Sequence, residues 1–281
     1  VDSCNFTENK ASFYGGALYN YHLDKLAVTN CNFSNDSSAS GGAIYTYTQY
    51  KNVLCTNTFR NNTYTNNVST GSGGAAVFSN NGSAAMNIDM VKNTFTGNKA
   101  AYYGGSLYVA NAASSDTVNV NIDSCNFYNS NTTLNTTQSH GGAMYLYCSG
   151  GTLIPSIKNT EFKNNHTAAR GGAIYAEVSN FQKLNLSILK CNIESNSSNI
   201  YGGGLYVASF GTTNLSIDSC TIKNNSAVSA IGGVYIYQSA FQCNASITNT
   251  IFDGNTTPGY SGALQINADG YFTGSASKCI F

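Results

Sequence analysis

A two-part pattern returns about every thirty residues from one end of the chain to the other. An aromatic or aliphatic residue is followed three positions later by a polar one, usually Asn, and then by a Gly-Gly-Ala-aliphatic-Tyr block. The anchors of the first part are Phe6, Phe33, Phe59, Phe95, Phe127, Phe162, Ile193, Ile222, Phe252 and Phe281. The second part is purest at 15–19, 41–45, 141–145 and 171–175, with weaker copies at 74–78, 104–108, 202–206, 231–235 and 261–265. Self-similarity at such a period marks a stacked array, in which each unit buries its apolar side only against its neighbours. Residues 1–281 therefore read as one elongated repeat domain whose function lies on the outside of a column.

Composition narrows the class further. Only 9% of residues are charged, Lys plus Arg equals Asp plus Glu at 13 each, and Arg occurs only at Arg60 and Arg170. Binding to nucleic acid depends on Lys and Arg meeting phosphates, so no nucleic-acid partner is expected. Abundant Gly, scarce Pro and a surface of Asn, Ser and Thr disfavour helices and point to an all-β chain. No run of eighteen apolar residues is present, so no transmembrane helix is expected. The chain opens without Met and inside a repeat, which suggests a processed product or a segment of something longer.

The spacing within a unit predicts its shape. Aliphatic residues stand seven and five positions before the anchor, and Cys, Asn or Thr two before it, as in Leu26, Val28, Cys31, Phe33 and in Leu215, Ile217, Cys220, Ile222. Residues two apart share a strand face, so the three-residue step between minus five and minus two implies a bend. A second turn is expected at the plus-three residue (Asn9, Asp36, Asn62, Asn98, Ser130, Asn165, Asn196, Asn225, Asn255), because Asn tolerates left-handed backbone. The Gly pair then opens a third strand with its aliphatic column (Leu18, Ile44, Val77, Leu107, Met144, Ile174, Leu205, Val234, Leu264) inward. Three short strands per unit make a rung of a parallel β-helix (β-solenoid) of about nine coils, each of roughly thirty residues. The spaced Leu of leucine-rich repeats and the calcium-binding Gly-Gly-x-Gly-x-Asp nonapeptide are both missing.

Paired Gly-Gly-Ala-Ile and Phe-x-x-Asn motifs, repeated along the whole chain, resemble the passenger domains of chlamydial polymorphic outer-membrane proteins and related right-handed β-helix repeat proteins. The resemblance implies a right-handed coil and a surface-exposed adhesive or structural stalk. The membrane β-barrel that anchors the bacterial members has no counterpart in this sequence.

Fifteen Asn-x-Ser/Thr sequons occur, at Asn5, Asn32, Asn35, Asn61, Asn67, Asn81, Asn131, Asn135, Asn165, Asn185, Asn196, Asn214, Asn224, Asn244 and Asn255. They are candidate N-glycosylation sites of a secreted chain, although Asn165, Asn196 and Asn255 also occupy the turn column, where a buried amide carries no glycan. Nine Cys lack metal-ligand spacing. Cys4 with Cys31, and Cys191 with Cys220, share an inward column on adjacent rungs, within reach of disulfides or of a buried thiol ladder; Cys55 competes for Cys31. The Tyr column, Tyr19, Tyr45, Phe78, Tyr108, Tyr145, Tyr175, Tyr206 and Tyr235, is expected to face outward, either as a binding stripe or as a ladder that stabilises only its own rod.

Polysaccharide cleavage on a β-helix needs converging carboxylates. Asp2, Asp123 and Asp218 share a bend position on distant rungs, where turn formation explains them, and His22, His140 and His166 stand at unrelated places in the repeat. No enzyme and no cofactor is expected. The expected role is a structural, extracellular or cell-surface glycoprotein whose copies stack head to tail as a filament or stalk. Residues 276–281 repeat the phase of residues 1–6, which would set Cys279 beside Cys4 of the next copy. The alternative is a cell-surface adhesin with a glycan or cell-surface partner.

Overall fold

The computed structural model describes residues 1–21, 24–49, 54–82, 84–113, 115–134, 137–179, 181–239 and 241–281. Among these there is no helix, every strand pairs parallel with its counterpart in the next coil, and the strands stack into four sheets, three of nine strands and one of seven. Nine strands at about 4.8 Å per step give a rod of about 40 Å. Four walls rather than three surround the core. An anchor wall runs from Asn5–Thr7 to Ile251–Asp253. A wall of two-residue strands runs from Ser37–Ser38 to Ser226–Ala227. A glycine wall runs from Leu18–Tyr21 to Leu264–Ala268, and a long wall from Lys25–Thr29 to Tyr271–Ser277. The two-residue strands are too short to leave a period-2 signature, which is why they do not show in the sequence.

The corners are made by single residues in left-handed backbone. One precedes the anchor wall (Ser3, Asn30, Ser219), one follows it (Asn35, Asn164, Asn224), and one opens the Gly-Gly block (Gly41, Gly141, Gly171). A lone left-handed residue between extended ones redirects the chain sharply, and Gly, followed by Asn, carries that conformation at least cost. The bend expected before the anchor is present. The turn after it is made by the plus-two residue, not by the plus-three Asn. The second glycine of the pair serves close approach: a Cβ on Gly42 would lie 2.0 Å from the carbonyl oxygen of Gly74 in the next coil.

Two ladders fill the middle. Phe6, Phe33, Tyr64, Phe95, Phe127 and Phe162 stack face to face with centroids 4.5 to 5.0 Å apart. Ile193 and Ile222 continue the column, and Phe252 stacks on Phe281 at 5.1 Å. Beside it the plus-three residues form a ladder in which Asp or Asn side-chain oxygens accept the backbone N–H of the coil before: Asp36 N–H donates to Asn67 Oδ1, Asn67 N–H to Asn98 Oδ1, and Asn196 N–H to Asn225 Oδ1, all at 2.9 Å, while the Ser130 hydroxyl pairs with that of Ser106 instead. Corner N–H groups that would otherwise be buried without partners are satisfied one rung away.

The third rung differs from its sequence reading. Tyr64, not Phe59, pairs with Phe33 and Phe95, and Asn67, not Asn62, joins the plus-three ladder. Phe59 sits on the long wall opposite Val28 and Met90. Asn62 belongs to the corner column of Cys31 and accepts the Cys31 N–H at 2.9 Å. Both Phe59–Asn62 and Tyr64–Asn67 satisfy the same three-residue spacing, and only stacking on neighbours separates them. The glycine wall is shifted there too. Ala76 pairs with Ile44 and Leu107, so Val77 takes the Tyr position and Phe78 points inward, fully buried and edge-on to Phe59. Phe78 is thus removed from the outer stripe, because a one-residue change of register exchanges the faces of a strand.

Candidate functional site

Three outer faces present side chains that could meet a partner. The first is the outer side of the glycine wall. Its Tyr column is not in the main core, yet it is not an open stripe. Tyr19 is about half exposed, whereas Tyr145, Tyr175, Tyr206 and Tyr235 are each under 8% exposed and form a second cluster outside the rod. Two flanking columns cover them. One comes from the residue before each Gly pair (Tyr103, His140, Arg170, Tyr201), the other from two positions beyond the Tyr (Tyr147, Glu177, Tyr237).

Chemistry concentrates in the middle of this face. The Tyr145 and Tyr175 hydroxyls both donate to Oε2 of Glu177, each at 2.9 Å. His140 stacks on Tyr175 with ring centroids 4.4 Å apart and is 8% exposed, and its Nδ1 is buried without a hydrogen-bond partner. Burial, with the Arg170 charge nearby, pulls the His140 imidazole down to about 3, so it is neutral at any ordinary pH. Burial and the Glu177 charge together push the Tyr145 and Tyr175 hydroxyls well above the usual tyrosine range. The Arg170 guanidinium lies 5.8 Å from the Tyr201 ring centre and 5.9 Å from that of Tyr206. Tyr103, Tyr108, His140, Tyr145, Tyr147 and Glu177 line a depression of about 240 Å³.

The sequence reading had the Tyr column but missed this convergence. His140 shares no repeat position with the other histidines, but it occupies the position just before the Gly pair, as do Tyr14, Tyr103, Arg170 and Tyr201. An aromatic or basic residue recurring at that position was the available signal.

The second face is the outer side of the long wall. Asn185, Asn214 and Asn244 stack there, with Asn214 Nδ2 donating to Asn185 Oδ1 at 2.8 Å and Asn244 Nδ2 to Asn214 Oδ1 at 2.9 Å. Ser187, Ser216 and Ser246 stack beside them, and both rows line a shallow channel of about 510 Å³. An Asn row and a Ser row two positions apart on one strand face produce three sequons by structure alone.

The third face holds the corner acids. Asp123 accepts from Asn159 Nδ2 at 2.9 Å, and Asp218 from Asn249 Nδ2 at 2.8 Å. Asp2 accepts from Asn30 Nδ2 at 2.9 Å. The Thr29 hydroxyl and then the Asn30 amide hold the Asp2 carboxyl below the usual range, Thr248 and then Asn249 do so for Asp218, and Asn159 leads at Asp123. Each ties its own rung to the next, and they do not converge.

The remaining candidate sites fall as follows. Asn67, Asn165 and Asn196 are fully buried. Their Nδ2 atoms donate to carbonyl oxygens of Phe33, Phe127 and Phe162 and to the next ladder oxygen. Asn165 and Asn196 thus occupy the buried turn column expected of them, and Asn67 joins them because of the rung-three register. Asn255 Nδ2 likewise donates to the Ile222 carbonyl at 2.7 Å. Asn5, Asn35, Asn61, Asn81 and Asn224 are exposed, and Asn32, Asn131, Asn185, Asn214 and Asn244 half-buried. Asn135 and His22 lie outside the described residues. Cys4, Cys31, Cys125, Cys191 and Cys220 share the corner column, as reduced thiols whose sulfurs join the ladder: Cys4 N–H donates to Cys31 Sγ and Cys191 N–H to Cys220 Sγ, both at 3.4 Å. Cys55 stands on the long wall opposite Met86 and does not share the Cys31 column.

Residues 3–21 and 159–177 match the Chlamydia polymorphic membrane protein repeat. Each stretch runs from a left-handed corner residue, Ser3 or Asn159, through the anchor and the Gly-Gly block to the end of the outer Tyr segment. With the parallel solenoid, the match makes the chain a β-helix resembling the passenger domains of chlamydial polymorphic membrane proteins. No curated protein and no solved structure matches the chain.

Proposed function

We propose that the chain is a non-enzymatic, surface-exposed shaft of the extracellular space or cell surface, which presents its outer walls to partners. The observation that carries this reading is the division of labour along the rod. Inward columns are committed to stacking, while the corner acids that might have served catalysis tie rung to rung. The resemblance to chlamydial passenger domains points the same way. Incubating the purified chain with a panel of polysaccharides, and separately with intact cells, tests it. Retention on cells with no change in the polymers is expected, and turnover of any polymer would sink the reading.

The finer proposal is head-to-tail association. Residues 276–281 repeat the phase of residues 1–6, so in this proposal Phe6 of a second copy continues the Phe252–Phe281 stack and Cys279 faces its Cys4. In an oxidising compartment Cys191 and Cys220 are the adjacent buried pair best placed to bond. Sedimentation over a range of concentrations with imaging of the particles tests association, and a monomer at every concentration overturns it without touching the shaft. The second reading, an adhesin that binds carbohydrate, is favoured by the Tyr103–Glu177 depression. Glycosylation at the exposed sequons belongs to either reading.

A further inference from the structure

The depression on the glycine wall arises from a contrast in side-chain size along one column. Tyr147 and Glu177 are flanked there by Ala110 in the preceding coil and Ala208 in the following one. The space left beside this step is lined by Tyr103, Tyr108, His140, Tyr145, Tyr147 and Glu177.

The rings around this space are engaged with one another. Tyr103 and Tyr145 centroids are 5.0 Å apart, Tyr108 and Tyr145 5.4 Å, and His140 and Tyr175 4.4 Å. A cage for a quaternary ammonium needs ring faces turned towards the ligand. What this site offers is phenol hydroxyls gathered about a carboxylate, whose charge reaches Tyr103 and Tyr108 as well as Tyr145 and Tyr175. To these it adds a neutral imidazole nitrogen, sealed from solvent and lacking a partner. The Arg170 charge, next to His140 along its column, offsets that of Glu177, so the site does not select strongly for an ion.

Such a set matches a neutral ligand with several hydroxyl groups. Sugar hydroxyls both donate and accept, as the phenols do; the carboxylate takes two adjacent donors, and a small tilt of the His140 ring, which lines the depression, brings its buried Nδ1 to a sugar hydroxyl and supplies the hydrogen bond it lacks. We propose that Tyr103, Tyr108, His140, Tyr147 and Glu177 form a recognition subsite for a single neutral sugar residue. The inference rests on the adhesive form of the reading above and gives it a place and a ligand class. Contact is through hydroxyl edges and the carboxylate rather than by stacking along an aromatic stripe, so the subsite reads one residue of a glycan.

The test uses the whole chain with a series of neutral methyl hexosides and with choline, followed by titration calorimetry and by ligand-observed NMR. Saturable binding of at least one hexoside is expected. Glu177→Gln should weaken it at least tenfold, and so should His140→Phe, which keeps the stack on Tyr175. Glu194→Gln, on the anchor wall, should leave it unchanged, and circular dichroism confirms that each variant folds. No saturable hexoside binding, equal binding by the Glu177 and His140 variants, or a preference for choline would each overturn the subsite. Cell retention is measured on the same proteins. Retention that survives both variants sinks the subsite and spares the adhesive reading, whereas absence of retention sinks that reading itself.

Discussion

The backbone N–H of Asn165 and its side-chain Nδ2 both donate to a single atom, Oδ1 of Asn196, at 2.9 Å each. The same Nδ2 also donates to the Phe127 carbonyl at 2.9 Å, and Asn165 Oδ1 accepts the Ser130 N–H at 2.9 Å. Three coils are joined through one side chain with no exposure to water.

Asn165→Ala removes that acceptor and leaves the Ser130 N–H buried without a partner. A buried donor stranded in this way costs about 1–3 kcal/mol, to which the lost cross-rung bonds add. Chemical denaturation should show a loss of about 2–4 kcal/mol. Asn32→Ala, on the outer side of the anchor wall, should change stability by no more than about 0.5 kcal/mol. Equal effects from the two variants would mean that the ladder does not hold the coils together.

Glycan occupancy should follow the ladder. In protein made by a host that glycosylates, peptide mapping is expected to find Asn67, Asn165 and Asn196 unmodified, with occupancy among Asn5, Asn35, Asn61, Asn81 and Asn224. A glycan on Asn196 in folded protein would contradict the buried amide outright.

Stability should fall on mild acidification. His140 is held neutral with its imidazole at about 3, against about 6.5 in an unfolded chain. Between these values the unfolded state binds the extra proton, so folding loses about 1.4 kcal/mol per pH unit as pH drops below about 6.5. Burial lowers His166 as well, with the same sign. Asp36 acts in the opposite sense, since burial raises its carboxyl and relieves a penalty as it protonates. His140→Phe should flatten the decline between pH 6.5 and 4.5 in denaturant midpoints, and an unchanged slope would remove His140 as its source.

Thiol chemistry should separate the column's ends from its middle. Burial pushes the Cys125, Cys148 and Cys243 thiols up to about 11, while Cys4 lies exposed on the first rung. A thiolate-specific reagent at pH 8 should label Cys4 in the native protein and reach Cys125 only on unfolding. Rapid native labelling of Cys125 would show that the rungs open readily.

Much of this architecture was legible in the chain because a solenoid writes each contact as a repetition. Phe127 and Phe162 stack on each other since both occupy the same place in their coils, and inward Leu186 and Ile188 follow from two-residue alternation before the anchor. The period, the all-β class, the parallel stacking and most of the inward columns follow from sequence by itself. Tertiary structure alone decided where the pattern is degenerate. Tyr64 and Phe59 fit the same spacing, and the choice between them is made by which ring lies over Phe33 and Phe95. The outer site was equally hidden, because His140, Tyr145 and Glu177 come from three different columns of two adjacent coils. Their meeting depends on how three columns of side chains on the glycine wall lean together across rungs, a lateral relation that a linear period does not encode.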